Sequence, residues 1–266
     1  MKQIKGLITI IMPALLALLV SGNAAADWSW DFNSGSYGFG TTYSSMSYSG
    51  SGGAPDVTVT GWSNANYASS SFDGSYGTGD LVQRNIAQWG ASGLGVYSSE
   101  DGGVPTHAMD NQTRIDAILL NFGGTSVTLD QVRFGWVSGD SDFSMSAYTG
   151  GGSTNLSSMG YGDLTSNGWT TIGSYYDPGT GTTSVNAGEV SSSYWLISAL
   201  NPEMGGINNR NFYGNDFFKL ASLGGTGPTT DVPEPSTLLL LGGVLLMLAM
   251  RRRLSGHTCS AAQLQA

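Results

Sequence analysis

The chain has 266 residues, 40 of them glycine, roughly twice average usage, and only 11% charged, against about 25% in typical soluble domains. That pairing disfavours a helical cytosolic enzyme, because helices tolerate glycine poorly and build their solvated faces from Glu, Lys and Arg. An aromatic content of 11% excludes a disordered tract, and a net charge of −9 excludes a phosphate-tracking nucleic-acid binder, which needs a basic stripe. Residues 1–26 read as a secretory signal peptide. Lys2 and Lys5 form a positive start, Leu7 to Val20 is apolar apart from Thr9 and Pro13, and Ala24-Ala25-Ala26 supplies small residues for cleavage. Cleavage after Ala26, with Ala24 and Ala26 at the small-residue positions, starts the mature chain at Asp27.

Residues 27–223 form the predicted extracellular domain, with 17 acids against 5 bases. Lys219 is its only lysine, and it has no cysteine, because Cys259 lies beyond the domain; a thiol-free domain suits an oxidising exterior. Its opening Gly/Ser/Tyr tract, Ser34 to Gly53, fits either a flexible arm or irregular edge strands. Strand patterns follow in order: Val57–Trp62, Arg114–Phe122, Ser126–Val137, Asp142–Tyr148, Trp169–Tyr176, Tyr194–Leu200 and Phe217–Leu223. Arg114–Phe122 has a nearly continuous apolar centre. Ser126–Val137 places Val127 and Leu129 on a buried face and breaks register near Asp130-Gln131, after which Val132, Phe134 and Trp136 take the inward positions. Asp142–Tyr148 alternates strictly. Gly, Asn, Asp and Ser clusters supply the turns, and no amphipathic helix of normal length is present. The predicted fold is all-β, an antiparallel β-sandwich or jelly-roll-like domain, flanked by the signal peptide and a C-terminal hydrophobic helix.

A polar linker, 224–231, leads into Val232-Pro233-Glu234-Pro235-Ser236-Thr237, an apolar run from Leu238 to Met250, and Arg251-Arg252-Arg253. The apolar run is about 20 Å long as a helix, and counting from Val232 brings it to about the length of a marginal span. Arginines after the run place its C-terminal end in the cytoplasm, which agrees with the orientation the signal peptide imposes. Residues 232–253 resemble the PEP-CTERM sorting signal of Gram-negative bacteria: Pro233, Glu234 and Pro235, a short hydrophobic helix, then Arg251, Arg252 and Arg253. The resemblance implies processing by an exosortase, with an inner-membrane-anchored precursor passing to the cell surface or exterior and residues 254–266 left as a short cytoplasmic tail. The two prolines hold the stretch before the helix extended, since they lack N–H donors and fix φ.

A second resemblance covers the domain. Gly93-Leu94-Gly95-Val96-Tyr97, Asp101-Gly102-Gly103, Pro105 to Asn111, Phe134-Gly135-Trp136 and Asp140 to Ser144 look like a family of exosortase-dependent surface proteins that pair such a domain with the sorting tail. It implies an extracellular protein rather than a known enzyme.

Candidate chemistry is sparse. His107, the only histidine of the domain, lies in a loop beside Asp101 and Asp110, where a structural hydrogen bond across the turn is expected, and no Gly-x-Ser-x-Gly elbow accompanies it. Asp140-Ser141-Asp142, with Glu100-Asp101 and Asp110-Asn111, could offer oxygen ligands to calcium; Asp140 and Asp142 are the candidates, and no other cofactor is expected. Trp28, Trp30, Trp62, Trp89, Trp136, Trp169 and Trp195 are read mainly as core, with one or two left for sugar stacking. The resulting expectation is a non-enzymatic surface or matrix protein, structural or glycan-binding, with an exosortase and extracellular polysaccharide as partners and no nucleic acid. The alternative is a secreted glycoside hydrolase, which needs paired carboxylates across a sugar bond.

Overall fold

Alternating and β-branched sequence becomes strand wherever it can bury a face. The computed structural model describes residues 27–65, 79–97, 107–112, 114–204, 215–227 and 242–248. Within 26–228, one of two compact units, the strands are β1 (Asp27–Asp31), β2 (Thr42–Tyr43), β3 (Met46–Tyr48), β4 (Val57–Asn64), β5 (Leu81–Gln88), β6 (Leu94–Tyr97), β7 (Met109–Asp110), β8 (Asp116–Asn121), β9 (Thr128–Val137), β10 (Phe143–Tyr148), β11 (Trp169–Tyr175), β12 (Thr182–Ser184), β13 (Tyr194–Ala199) and β14 (Phe217–Thr226). Helix is confined to four single 3-10 turns in this unit among the described residues.

Among the described residues every strand pairing is antiparallel. The order is β11-β10-β13-β8-β4-β5-β6-β14-β9-β12, with β1 and β7 on β14, β2 on β5 and β3 on β4. The sheet curls at β5, whose first half (Leu81–Arg84) pairs with β4 and whose second half (Asn85–Gln88) pairs with β6. A strand shared in this way is how two packed sheets turn a corner. The all-β expectation holds, with the two layers continuous rather than separate.

The main core lies between the layers. Val59, Ile118, Leu120, Met145, Trp195 and Ile197 face Trp30, Val132, Phe134, Phe218, Leu220 and Leu223 from the other half. Trp30 is fully buried, packs edge-on against Phe122 at 4.8 Å, and donates its indole N–H to Pro55 O at 2.8 Å. Truncating such a side chain costs about 3–5 kcal/mol. A second core covers the other face of β4, β8 and β13, where Leu119 and Leu196 meet Leu156, Met159, Tyr161 and Leu164 from an irregular segment and Trp169 from the start of β11. This explains the continuous apolar centre of β8, which is buried on both faces. β10 is also buried on both faces despite its strict alternation. Its serines are enclosed because Ser144 Oγ accepts from the Asn201 N–H and shares a hydrogen bond with Ser174 Oγ.

The opening Gly/Ser/Tyr tract contributes irregular edge strands, β2 and β3, rather than an arm. β14 continues to Thr226, so Gly224–Thr226 pair with β1 and β9 instead of serving as the start of a linker. Gly95 marks a close approach: a Cβ there would lie 1.7 Å from His107 O.

The other unit comprises residues 1–25 and 229–266, of which the structure describes a helical segment at 242–248. Its side chains, Val244 to Leu248, are apolar and exposed. Among the described residues no helix is long and apolar enough to cross a membrane.

Candidate functional site

The end of β9 and the start of β14 are antiparallel neighbours, with Val137 opposite Phe218. The turn after β9 therefore meets the residues before β14. Asp140 forms a parallel bridge with Asp216, accepting the Phe217 N–H at 3.0 Å and donating its own N–H to Asn215 O at 3.1 Å. Asp142 donates its backbone N–H to Asp216 Oδ1 at 2.9 Å, and Asn111 Nδ2 donates to Asp216 Oδ2. Asp142 Oδ1 accepts the Asp177 N–H at 2.7 Å. One carboxylate oxygen from each of Asp140, Asp142 and Asp216 lies within 4.8 Å of the others.

Asp142 and Asp216 are almost sealed, 2% and 1% exposed. Burial pushes the Asp216 carboxyl up to about 8, with the Asp142 charge adding to it. Burial likewise raises Asp142 to about 6, against the opposing Asp177 N–H bond. Exposed Asp177 is raised by its hydrogen bond with the Asp140 carboxyl and then by that group's charge. Such a cluster can approach neutrality by holding protons or by holding a hard, oxygen-seeking cation such as calcium. A sugar bond has no access to carboxyls this buried.

A second group surrounds Lys219. Its cross-strand partner is Trp136, over whose ring Nζ stands at 3.9 Å from the centroid, with Trp89 at 5.6 Å. Burial lowers the Lys219 ammonium to about 8. The His107 ring stacks on Trp89 at 5.5 Å and leans on Tyr97 at 4.2 Å. The sole histidine and the sole lysine of the domain thus both pack on Trp89.

A third feature is a groove of about 500 Å³ on the outer face of β1, β14, β9 and β12. Register builds it. Asp31, Ser222, Arg133 and Thr182 form one row across the four strands, and Ser29, Gly224, Gln131 and Ser184 form another. The central strand carries only Ser222 and Gly224 outward, so it forms a low floor between longer side chains. Gly224 pairs with Gln131 and Gly225 with Leu129, leaving Asp130 as the extra residue of a β-bulge. That bulge is the register break legible at Asp130-Gln131, and it brings both residues to the groove. Burial, and then the charge of Asp27, raise the Asp130 carboxyl above its ordinary value.

Of the sequence candidates, Asp140 and Asp142 do come together, with Asn111 attached to the same cluster through Asp216. Asp110 instead caps a local turn, accepting the Gln112 N–H at 3.0 Å. Glu100 and Asp101 lie outside the described residues, as do Ala24, Ala26, Pro233, Glu234, Pro235 and Arg251–Arg253. Trp30, Trp62, Trp169 and Trp195 are core, and half-buried Trp28 packs against it beside Trp30. Sequence reasoning missed Asp216, which lies 74 residues from Asp142 and carries no local signal. It also missed the groove, for which the register break was the available sign.

An all-antiparallel β-domain followed by an apolar, arginine-flanked tail defines the class of molecule. Residues 231–253 match the family model of the PEP-CTERM protein-sorting motif, so the chain carries this motif, which implies an exported protein whose membrane-anchored precursor is sorted by an exosortase. No curated protein matches the chain.

Proposed function

We propose that the β-domain is a non-catalytic module of the envelope or exopolysaccharide matrix, binding glycan or supporting it structurally after the exosortase has processed the tail. In this reading Leu238–Met250 inserts transiently in the inner membrane, and the signal peptide leaves after Ala26. The observation that carries the non-catalytic role is the commitment of the reactive side chains to packing: His107 stacks on Trp89, Lys219 lies over Trp136, and Asp142 and Asp216 are buried within one carboxylate cluster. No cofactor serves catalysis here. A calcium ion at Asp140, Asp142 and Asp216 would be a structural ligand that offsets their repulsion.

One observation favours a second reading, a glycoside hydrolase. Asp130, with its raised carboxyl, shares an open groove with Asp27, and that chemistry needs one protonated and one ionised carboxyl. The deciding experiment incubates the purified full chain with extracted matrix polysaccharide and measures bound protein and new reducing ends. Binding without new reducing ends is expected. Reducing ends that appear with the wild type and vanish with Asp130→Asn would replace the binding role with the hydrolase.

A further inference from the structure

We infer that the groove over β1, β14 and β9 is the glycan-binding site of the domain, and that its ligand is an uncharged, hydroxyl-rich oligosaccharide. The inference rests on the glycan-binding reading above and gives it a location. Shape is the first argument. A trough of about 500 Å³ falls within the usual range of ligand sites, and its floor is a strand whose outward positions are Ser222 and Gly224. A Cβ on Gly224 would already touch the Gln131 side chain at 3.0–3.3 Å, so the floor stays low only with glycine there.

Chemistry is the second argument. Asp27, Asp31 and Asp130 offer acceptors, while Gln131 and Arg133 offer planar sets of donors. Each sugar hydroxyl both donates and accepts, and a planar carboxylate, amide or guanidinium can address two neighbouring hydroxyls at once. The side chains of Asp27, Gln131 and Arg133 make no hydrogen bond among the described residues, which leaves them available to a ligand.

Charge is the third argument. Three carboxylates against one guanidinium repel a uronate or phosphate-bearing chain, and an uncharged chain incurs no such cost. Cleavage after Ala26 would add the α-ammonium of Asp27 at the same rim and bring the site nearer neutrality. The bulge at Asp130 is itself the kind of local device that re-aims a side chain toward a site.

The test uses the full chain purified in detergent and calorimetric titration with neutral hexasaccharides of the β-1,3-, β-1,4- and α-1,6-linked glucans, with hexagalacturonate as the anionic probe. At least one neutral hexasaccharide should bind, and the anionic one should bind at least tenfold more weakly. Gln131→Ala and Arg133→Ala should each weaken the neutral ligand by tenfold or more, while Asp56→Asn, outside the groove, should not. Because Gln131 is exposed, its variant remains informative even if the Arg133 variant folds poorly. Wild-type binding that both groove variants retain would overturn the location and leave the glycan-binding reading standing. Failure to bind any neutral hexasaccharide would overturn both, and tighter binding of hexagalacturonate would overturn the ligand class.

Discussion

Asp216 is held where a charge is costly. Its carboxyl titrates near 8 in the folded chain and near the ordinary 3.8 when unfolded. Between those values the folded state keeps a proton that the unfolded chain has released, so stability falls as pH rises. The contribution is fully present below about pH 4 and lost as pH passes through 8; Asp142, raised to about 6, adds a loss of the same sign over a narrower window. In EDTA, the melting temperature should therefore drop between about pH 5 and 8, by the equivalent of a few kcal/mol. Asp142→Asn removes the like charge beside Asp216 yet keeps an oxygen for the Asp177 N–H, so its profile should be flatter. Thermal melts across that range check this, and a flat wild-type profile would contradict it. Calcium that restores the melt at pH 8 but not at pH 5 would identify the cation as the neutralising partner, since protons compete for the same oxygens. Lys219 works in the opposite direction, favouring the fold as pH rises from about 8 toward 10.5, which is why the series stops at 8.

At the scale of the element, β9 shows how one residue reconciles two phases. Leu129 and Val132 both face the core, three positions apart, which a regular strand cannot achieve with its two-residue period. Asp130 is the surplus residue. Deleting it would leave Leu129 inward, Gln131 outward and Val132 inward, a regular ladder against β14. The deletion loses the Val185 N–H bond to Asp130 O but keeps the buried set. Deleting Arg133 instead would put Phe134 out of phase with Val132 and turn a core aromatic toward solvent. The Asp130 deletion should thus retain a cooperative melt and a strand-rich circular dichroism spectrum, while the Arg133 deletion should retain neither. Equal damage from both deletions would refute the bulge as the phase-setting device.

For the whole molecule, the sorting motif and the β-domain are separate problems. The domain must fold outside the cell, where its lack of thiols avoids mispairing; the tail must be read at the membrane. Proline at 233 and 235 disfavours helix ahead of the apolar run, because it lacks an N–H donor and fixes φ, and alanine at both would remove that restriction. The Pro233→Ala, Pro235→Ala double variant should remain with the membrane fraction and lose surface release. Mass spectrometry of surface-extracted wild type should show neither residues 1–26 nor the peptides from Arg251 onward. Unchanged release of the double variant would remove the prolines from recognition.

The tail and the fold class were legible in the sequence because each is written in local order. Pro-Glu-Pro, an apolar run and three arginines are contiguous, and strand periodicity needs only a few neighbouring residues. Even the β9 bulge left a local trace, in the slip between Leu129 and Val132. The double-sided burial of β10 did not, because its serines alternate as solvated ones would, and only the covering segment at Asn201 encloses them. Asp216 and the groove were likewise decided by tertiary structure alone. Antiparallel pairing of β14 with β9 carries Asp216 to Asp140 and Asp142, and pairing of β14 with β1 on its other side closes the wall of the groove. A strand records which of its faces is apolar, but its neighbour is selected by the packing of the whole sheet, and these sites exist only between neighbours.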